Sequence, residues 1–125
     1  MLYGKGDDGK QISPMPGTRA ACPSCGVTLV PKCGKVTVWH WAHSSKKDCD
    51  SWSEGETVWH AAWKSRFKLC EVVMDRDGAK HRADAVGQHG TVIEFQHSTI
   101  TAEEIVARER FYGPNMVWVV DGRKA

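Results

Sequence analysis

Asp84, Glu94 and Gln96 are the residues in this chain whose types and spacing point most directly to catalysis. Asp84 lies in a short apolar run, residues 83–86, and Thr91-Val-Ile-Glu-Phe-Gln-His97 is rich in β-branched and aromatic residues, as strands are. Strand side chains alternate, so Val92, Glu94 and Gln96 share one face while Ile93 and Phe95 take the other. Gly87 and Gly90 bracket a turn that would fold Asp84 back toward Glu94. Two carboxylates in apolar strands are costly to bury without a compensating cation. Mg²⁺ is the natural candidate, since one or two carboxylates with phosphate and water commonly hold it. The ordinary alternative is two solvated acids on the open face of a ribbon.

A second set joins Cys22-Pro-Ser-Cys25 to His40-Trp-Ala-His43, with two, fourteen and two residues between successive members. Two thiols and two imidazoles at this spacing suit tetrahedral Zn²⁺, and four protein ligands make such a site structural. Residues 27–30 and 36–39 alternate well enough for two strands, with 31–35 as the turn and the second strand running into His40. Cys33 and Cys49 remain as spare thiols. A ligand set in which one of them replaces a His ranks second, and unliganded thiols with two surface His are the ordinary alternative.

These residues need elements to hold them. Residues 1–20 are rich in Gly and Pro and read as a loose strand or arm, and the polar residues 44–52 read as a linker. Ser53-Glu-Gly-Glu56 opens a helix to about Leu69, with Trp59, Ala62, Trp63 and Phe67 as its apolar stripe. Glu56, His60 and Lys64 follow at i, i+4 and i+8 beside that stripe. Glu56 has two compatible readings, a capping box with Ser53 and an acidic catalytic group. His60 and Lys64 have a plainer reading as solvated neighbours of the core.

Residues 69–75, 81–86 and 91–97 read as strands, with Asp77-Gly78 as a hairpin turn. Thr101-Ala-Glu-Glu104 opens a second helix to about Tyr112. Residues 116–120 form a strand buried on both faces. Arg108 and Tyr112 lie one helical turn apart, either facing one phosphate or base together or packed as an Arg over a Tyr ring.

The chain has 125 residues, 41% hydrophobic and 26% charged, a balance that allows a packed core and argues against disorder. No apolar run approaches the length of a membrane span, and the first residues lack an apolar signal core, so a cytoplasmic location is expected. An odd cysteine count, five, argues for metal binding over a disulfide framework. Residues 1–50 hold seven Lys/Arg and four Asp/Glu, net +3, and residues 51–125 hold ten and eleven, net −1. The basic excess in the first half fits phosphate contact without establishing it.

The order αβββαβ after residue 53, with Asp84 on its second strand and Glu94-x-Gln96 on its third, resembles the PD-(D/E)xK nuclease core. More narrowly, the chain resembles the competence protein CoiA-like family. The residues that carry this are Cys22-x₂-Cys25, His40-Trp-Ala-His43, Glu56-x₃-His60-x₃-Lys64, Asp84, Ile93-Glu94-Phe95-Gln96-x-Ser98, Arg108-x₃-Tyr112 and the closing Trp118 strand. The resemblance implies an α+β fold: a small zinc-binding β-hairpin module, residues 1–50, followed by a PD-(D/E)xK-like core, residues 51–125.

It also implies a metal-dependent DNA endo- or exonuclease of DNA uptake, recombination or mobile elements. Asp84 and Glu94 become ligands of Mg²⁺ or Mn²⁺, Glu56 an accessory acid, and Gln96 stands where a Lys is usual. Lys64 is then the candidate for the missing positive charge, with His60 as a group that positions water. Because Gln96 is neutral, a catalytically inactive nucleic-acid-binding module is the competing expectation, and an interaction or inhibitor protein on the same fold is a third.

Overall fold

The computed structural model describes residues 1–45 and 47–124; Lys46, within the expected linker, lies outside the described residues. Five short strands form the first sheet: β1 (Gly4–Lys5), β2 (Gln11–Ile12), β3 (Ala20–Ala21), β4 (Thr28–Lys32) and β5 (His40–His43). Their order is β2-β1-β3-β4-β5, antiparallel throughout. The expected arm thus supplies three strands. Gly4 makes this possible, because a Cβ there would lie 2.6 Å from the Ala20 Cβ. Leu29 and Trp41 are fully buried between Met1, Ala20 and Cys22. The Trp41 indole N–H is satisfied by the Ile12 carbonyl at 3.0 Å.

The hairpin expected from residues 27–39 is displaced along the chain. Pairing begins at Lys32↔His40 and ends at Leu29↔His43, so residues 33–39 form the connection. Val36 is exposed there, and the Trp39 indole N–H donates to the Gly34 carbonyl at 3.1 Å. That contact closes the loop on itself and takes residues 36–39 out of the sheet.

The rest follows the expected order: α1 (Val58–Lys64), β6 (Leu69–Arg76), β7 (Ala79–Val86), β8 (Val92–Gln96), α2 (Ala102–Tyr112) and β9 (Met116–Val120). They build a sheet ordered β6-β7-β8-β9, antiparallel except for the parallel β8–β9 pair that α2 connects. Asp77 and Gly78 turn the β6–β7 hairpin with positive φ at both positions. Trp59 and Trp63 of α1, with Phe67 just beyond its end, pack on Ile93 and Phe95. Phe111 and Tyr112 of α2 pack with Val92 on the other face. Strand alternation thus places one helix on each side of β8.

Helix α1 is shorter than expected at both ends. Thr57 is its N-cap, accepting from the His60 N–H at 3.1 Å, and residues 53–56 are not helical. Ser53 and Glu56 therefore form no capping box, since Glu54 and Glu56 are spent on tertiary partners. Thr101 caps α2 as expected, accepting from the Glu104 N–H at 3.2 Å. No helix among the described residues is long and apolar enough to cross a membrane.

Candidate functional site

Cys22-Pro-Ser-Cys25-Gly26 folds as a tight knuckle. The Gly26 N–H donates to the Cys22 carbonyl at 2.9 Å, Gly26 takes φ 79°, and the Ser24 N–H points at the Cys22 sulfur at 3.4 Å. Ligand atoms of Cys22, Cys25, His43 and Cys49 all lie within 4.8 Å of one another. The Cys22 and Cys49 sulfurs are 3.7 Å apart. That is close to the edge of a tetrahedron with Zn–S arms of about 2.3 Å, roughly 3.8 Å. His43 is buried, and its Nε2 has no hydrogen-bond partner, while Nδ1 faces Asp48 Oδ2 at 3.9 Å. A carboxylate behind a ligating imidazole is the usual support for such a ligand.

Burial and the close sulfurs set the electrostatics at this point. Burial acts to raise the Cys22 thiol, but the Cys25 and Ser24 N–H groups and the neighbouring sulfurs outweigh it and bring it below its ordinary value. Burial and the adjacent Cys22 sulfur push Cys49 up to about 12. Burial also lowers His43, which keeps the imidazole neutral and able to ligate. Three sulfurs and a neutral imidazole form a donor set that fits a metal ion such as zinc, and such an ion would stabilise the thiolate forms.

His40 is not among the donors. It lies three residues from His43 on one strand, and that spacing puts the two side chains on opposite faces. Trp41 and His43 are the buried pair, whereas the His40 Nδ1 is taken by the Val38 carbonyl at 2.8 Å. The expected Cys₂His₂ set is therefore corrected to Cys22, Cys25, His43 and Cys49; Cys33 is outside it.

The second cluster forms where β7 and β8 part. Among the described residues the two strands pair only through Ala85↔Ile93 and Val86↔Val92. Beyond that point carboxylates replace carbonyls as acceptors. The Asp84 N–H donates to Glu94 Oε2 at 2.9 Å, and the Phe95 N–H donates to Asp84 Oδ2 at 2.8 Å. Burial raises both acids. Glu94 is pushed up to about 8, with Asp84 adding to the rise and Arg108, whose Nη1 lies 3.3 Å from Glu94 Oε1, opposing it.

A cavity at this splay is lined by Glu56, His60, Lys64, Glu71, Asp84 and Glu94. Lys64 Nζ donates to Glu56 Oε1 at 2.6 Å and to Glu71 Oε2 at 2.9 Å. Burial would lower the Lys64 pKa, but Glu71, Glu56 and Asp84 together hold it above its ordinary value, so the ammonium stays charged. His60 Nε2 lies 2.8 Å from Glu54 Oε2 and 3.1 Å from the Phe95 carbonyl. Both are acceptors, so Nε2 carries a proton, and Nδ1 lies 2.8 Å from the Thr57 hydroxyl.

Three expected site residues are placed differently. The Gln96 amide donates to Glu54 Oε1 and to the Ser98 carbonyl, each at 2.8 Å, and is absent from the lining of the cavity. Arg108 is buried, reaching Glu94, Glu104 and the Trp52 carbonyl while stacking over the Trp52 and Trp118 rings. Tyr112 is buried in the core against Val92, and desolvation raises its pKa. Arg108 lines the cavity beside Glu94 rather than the open surface, and Tyr112 is absent from that lining. Their one-turn spacing reflects packing of α2 on the sheet.

Two carboxylates central to the site escaped the sequence reading. Glu54 accepts from His60, Gln96, the His97 and Ser98 N–H groups and the Ser98 hydroxyl. Those donors hold it below the ordinary range, at about 2, despite burial. Glu71 lies opposite Asp84, between the pairs Cys70↔Ala85 and Val72↔Ala83, and takes φ 52°. That left-handed conformation costs about 1–3 kcal/mol for a residue with a side chain. It turns the carboxylate onto Lys64 and onto the Leu2 and Tyr3 N–H groups at 2.6 and 3.0 Å. The signal for Glu71 was present: a lone acid in an apolar strand, the same sign that singled out Asp84.

A Cys₃His cluster beside a small antiparallel sheet, able to hold a metal ion, is joined to a mixed-sheet αβββαβ unit with a buried carboxylate cavity, which makes the fold class α+β. Residues 9–51 match the family model for the competence protein CoiA, N-terminal domain, and the similarity is confined to that segment. The matched span contains all four clustered donors. No curated protein and no solved structure matches the chain.

Proposed function

We propose that the chain is a divalent-metal-dependent nuclease acting on DNA, with residues 1–50 as a zinc-bearing module and residues 51–125 as a PD-(D/E)xK-like core. The observation that carries this reading is the meeting of Asp84 and Glu94 at the parted ends of β7 and β8. Burial raises both acids, and Asp84 raises Glu94 further, so a bound cation would favour their charged forms. Asp84 and Glu94 would hold Mg²⁺ or Mn²⁺, which when bound supplies Lewis-acid activation of water and phosphate.

The chain's own groups do the rest. Lys64, charged and fixed by Glu56 and Glu71, brings positive charge to the cavity where Gln96 brings none. His60, oriented by Glu54 and Thr57, lines the same cavity. The CoiA match supports a competence-related role, here in DNA uptake, recombination or mobile-element biology. The test is Mn²⁺-dependent cleavage of single- and double-stranded DNA, with Asp84→Asn as the control that keeps an acceptor for the Phe95 N–H.

One observation favours the reading without catalysis. Gln96 is committed to Glu54 and Ser98, and Arg108 already compensates Glu94. A nucleic-acid-binding module of this kind would show salt-sensitive DNA binding with no cleavage; an interaction or inhibitor protein would show neither.

A further inference from the structure

We infer that Arg82 is a positioning residue for the metal centre, and that through it metal binding is coupled to the strand that carries Asp84. The inference rests on the metal reading of Cys22, Cys25, His43 and Cys49. Arg82 belongs to β7, in the other sheet from the Cys22 knuckle, and it is buried. Its Nη1 lies 3.6 Å from the Cys49 sulfur and 3.9 Å from the Cys22 sulfur. Its Nη2 grips both oxygens of Asp48, at 2.9 and 2.7 Å. The Arg82 main-chain N–H donates to Asp50 Oδ2 at 2.8 Å, and the His81 ring meets Asp50 Oδ1 at 2.7 Å. Cys49 is thus held between two acids that are both fastened to β7.

The chemistry gives this arrangement a purpose. Three thiolates and a neutral imidazole around a divalent ion carry a net charge of about −1. A guanidinium that donates N–H groups to two of the sulfurs offsets that charge, and its planar fork lets the second nitrogen hold Asp48. Partners of this kind around a metal site tune its affinity. Coupling is reciprocal, so what β7 contributes to placing Cys49, the bound metal returns to β7. Asp84 is two residues along that strand.

The experiment uses the full chain and zinc competition against a chromophoric chelator. Arg82→Gln should bind zinc about 10- to 100-fold more weakly than the unaltered chain. Arg82→Lys, with the charge kept and the fork lost, should fall between, and the exposed Arg76→Gln should match the unaltered chain. With Co²⁺ in place of zinc, Arg82→Gln should move the sulfur-to-metal band to lower energy, because the thiolates lose a donor. In the unaltered chain, zinc removal should speed hydrogen exchange at the Asp84 and Ala85 amides more than at Val119. Arg82→Gln with unchanged affinity and an unchanged cobalt band overturns the inference while leaving the metal reading intact. Unchanged exchange at Asp84 overturns the coupling. If Arg82→Gln does not fold, Arg82→Lys and the exchange experiment decide. An unaltered chain that binds no zinc removes the metal reading and this inference with it.

Discussion

Asp84 and Glu94 each accept a main-chain N–H across the gap between β7 and β8: Glu94 from Asp84 itself, and Asp84 from Phe95, the residue after Glu94. The crossed pair spans the point where the ladder stops, so the same two carboxylates satisfy backbone donors and face a cavity. Asp84→Asn and Glu94→Gln keep acceptors for those donors and remove the charge. Both variants should fold and lose Mn²⁺-dependent DNA cleavage, measured beside thermal unfolding. A folded variant that still cuts at the unaltered rate takes these residues out of the mechanism.

The metal centre makes a contrast between two histidines. His43→Ala and Cys49→Ser should each lose tight zinc binding, while His40→Ala should retain one zinc per chain. Elemental analysis after chelator dialysis measures this. Retained zinc in Cys49→Ser, or its loss in His40→Ala, would restore the ligand set read from spacing alone.

Lys64 lies between two buried acids, so its removal has a structural cost as well as a catalytic one. Lys64→Ala should lower stability by about 3–5 kcal/mol, because it leaves Glu71 without its cation and Glu56 with only the Met1 ammonium, 3.5 Å away. Combining it with Glu56→Gln and Glu71→Gln should recover much of that stability without recovering cleavage. Denaturant unfolding and the nuclease assay read the two effects apart. Recovery of cleavage by the triple variant would show that Lys64 serves packing alone.

Glu54 carries a pH signature. Its folded pKa, about 2, is depressed below the ordinary glutamate value by His60, Ser98 and the His97 N–H. A depressed carboxyl contributes its stabilisation in full above the unfolded pKa and loses it as pH falls through the folded one. Acid unfolding between about pH 5 and pH 2 should therefore be less steep in Glu54→Gln. That variant should also be less stable at neutral pH by about 2–3 kcal/mol, the scale of charge-assisted hydrogen bonds. An unchanged acid limb of the stability curve would mean that Glu54 does not tie residues 53–56 to the end of β8.

The order αβββαβ, the Asp77-Gly78 turn and the Thr101 cap were legible in the sequence because each is local. Period-two and period-3.6 patterns, turn chemistry and capping act over a few residues, and the tertiary structure had no reason to override them. The Cys22 knuckle was legible for the same cause. Which fourth donor joins it was not: His40 and Cys49 have equally good chemistry, and only strand parity at His43 and the grip of β7 on Asp48 and Asp50 choose between them. Glu56 has helical spacing to Lys64 yet reaches it from outside the helix, because Thr57 takes the cap and leaves Glu56 free to turn inward. Arg108 reads from its spacing as a surface phosphate contact, and the fold instead sets it in the cavity wall against Glu94 and two indole rings. Residue types and local periodicity are properties of the chain, so the sequence alone determined the elements and the candidate chemistry. Which charges meet depends on how distant segments pack and what burial demands of them, and only the tertiary structure decided that.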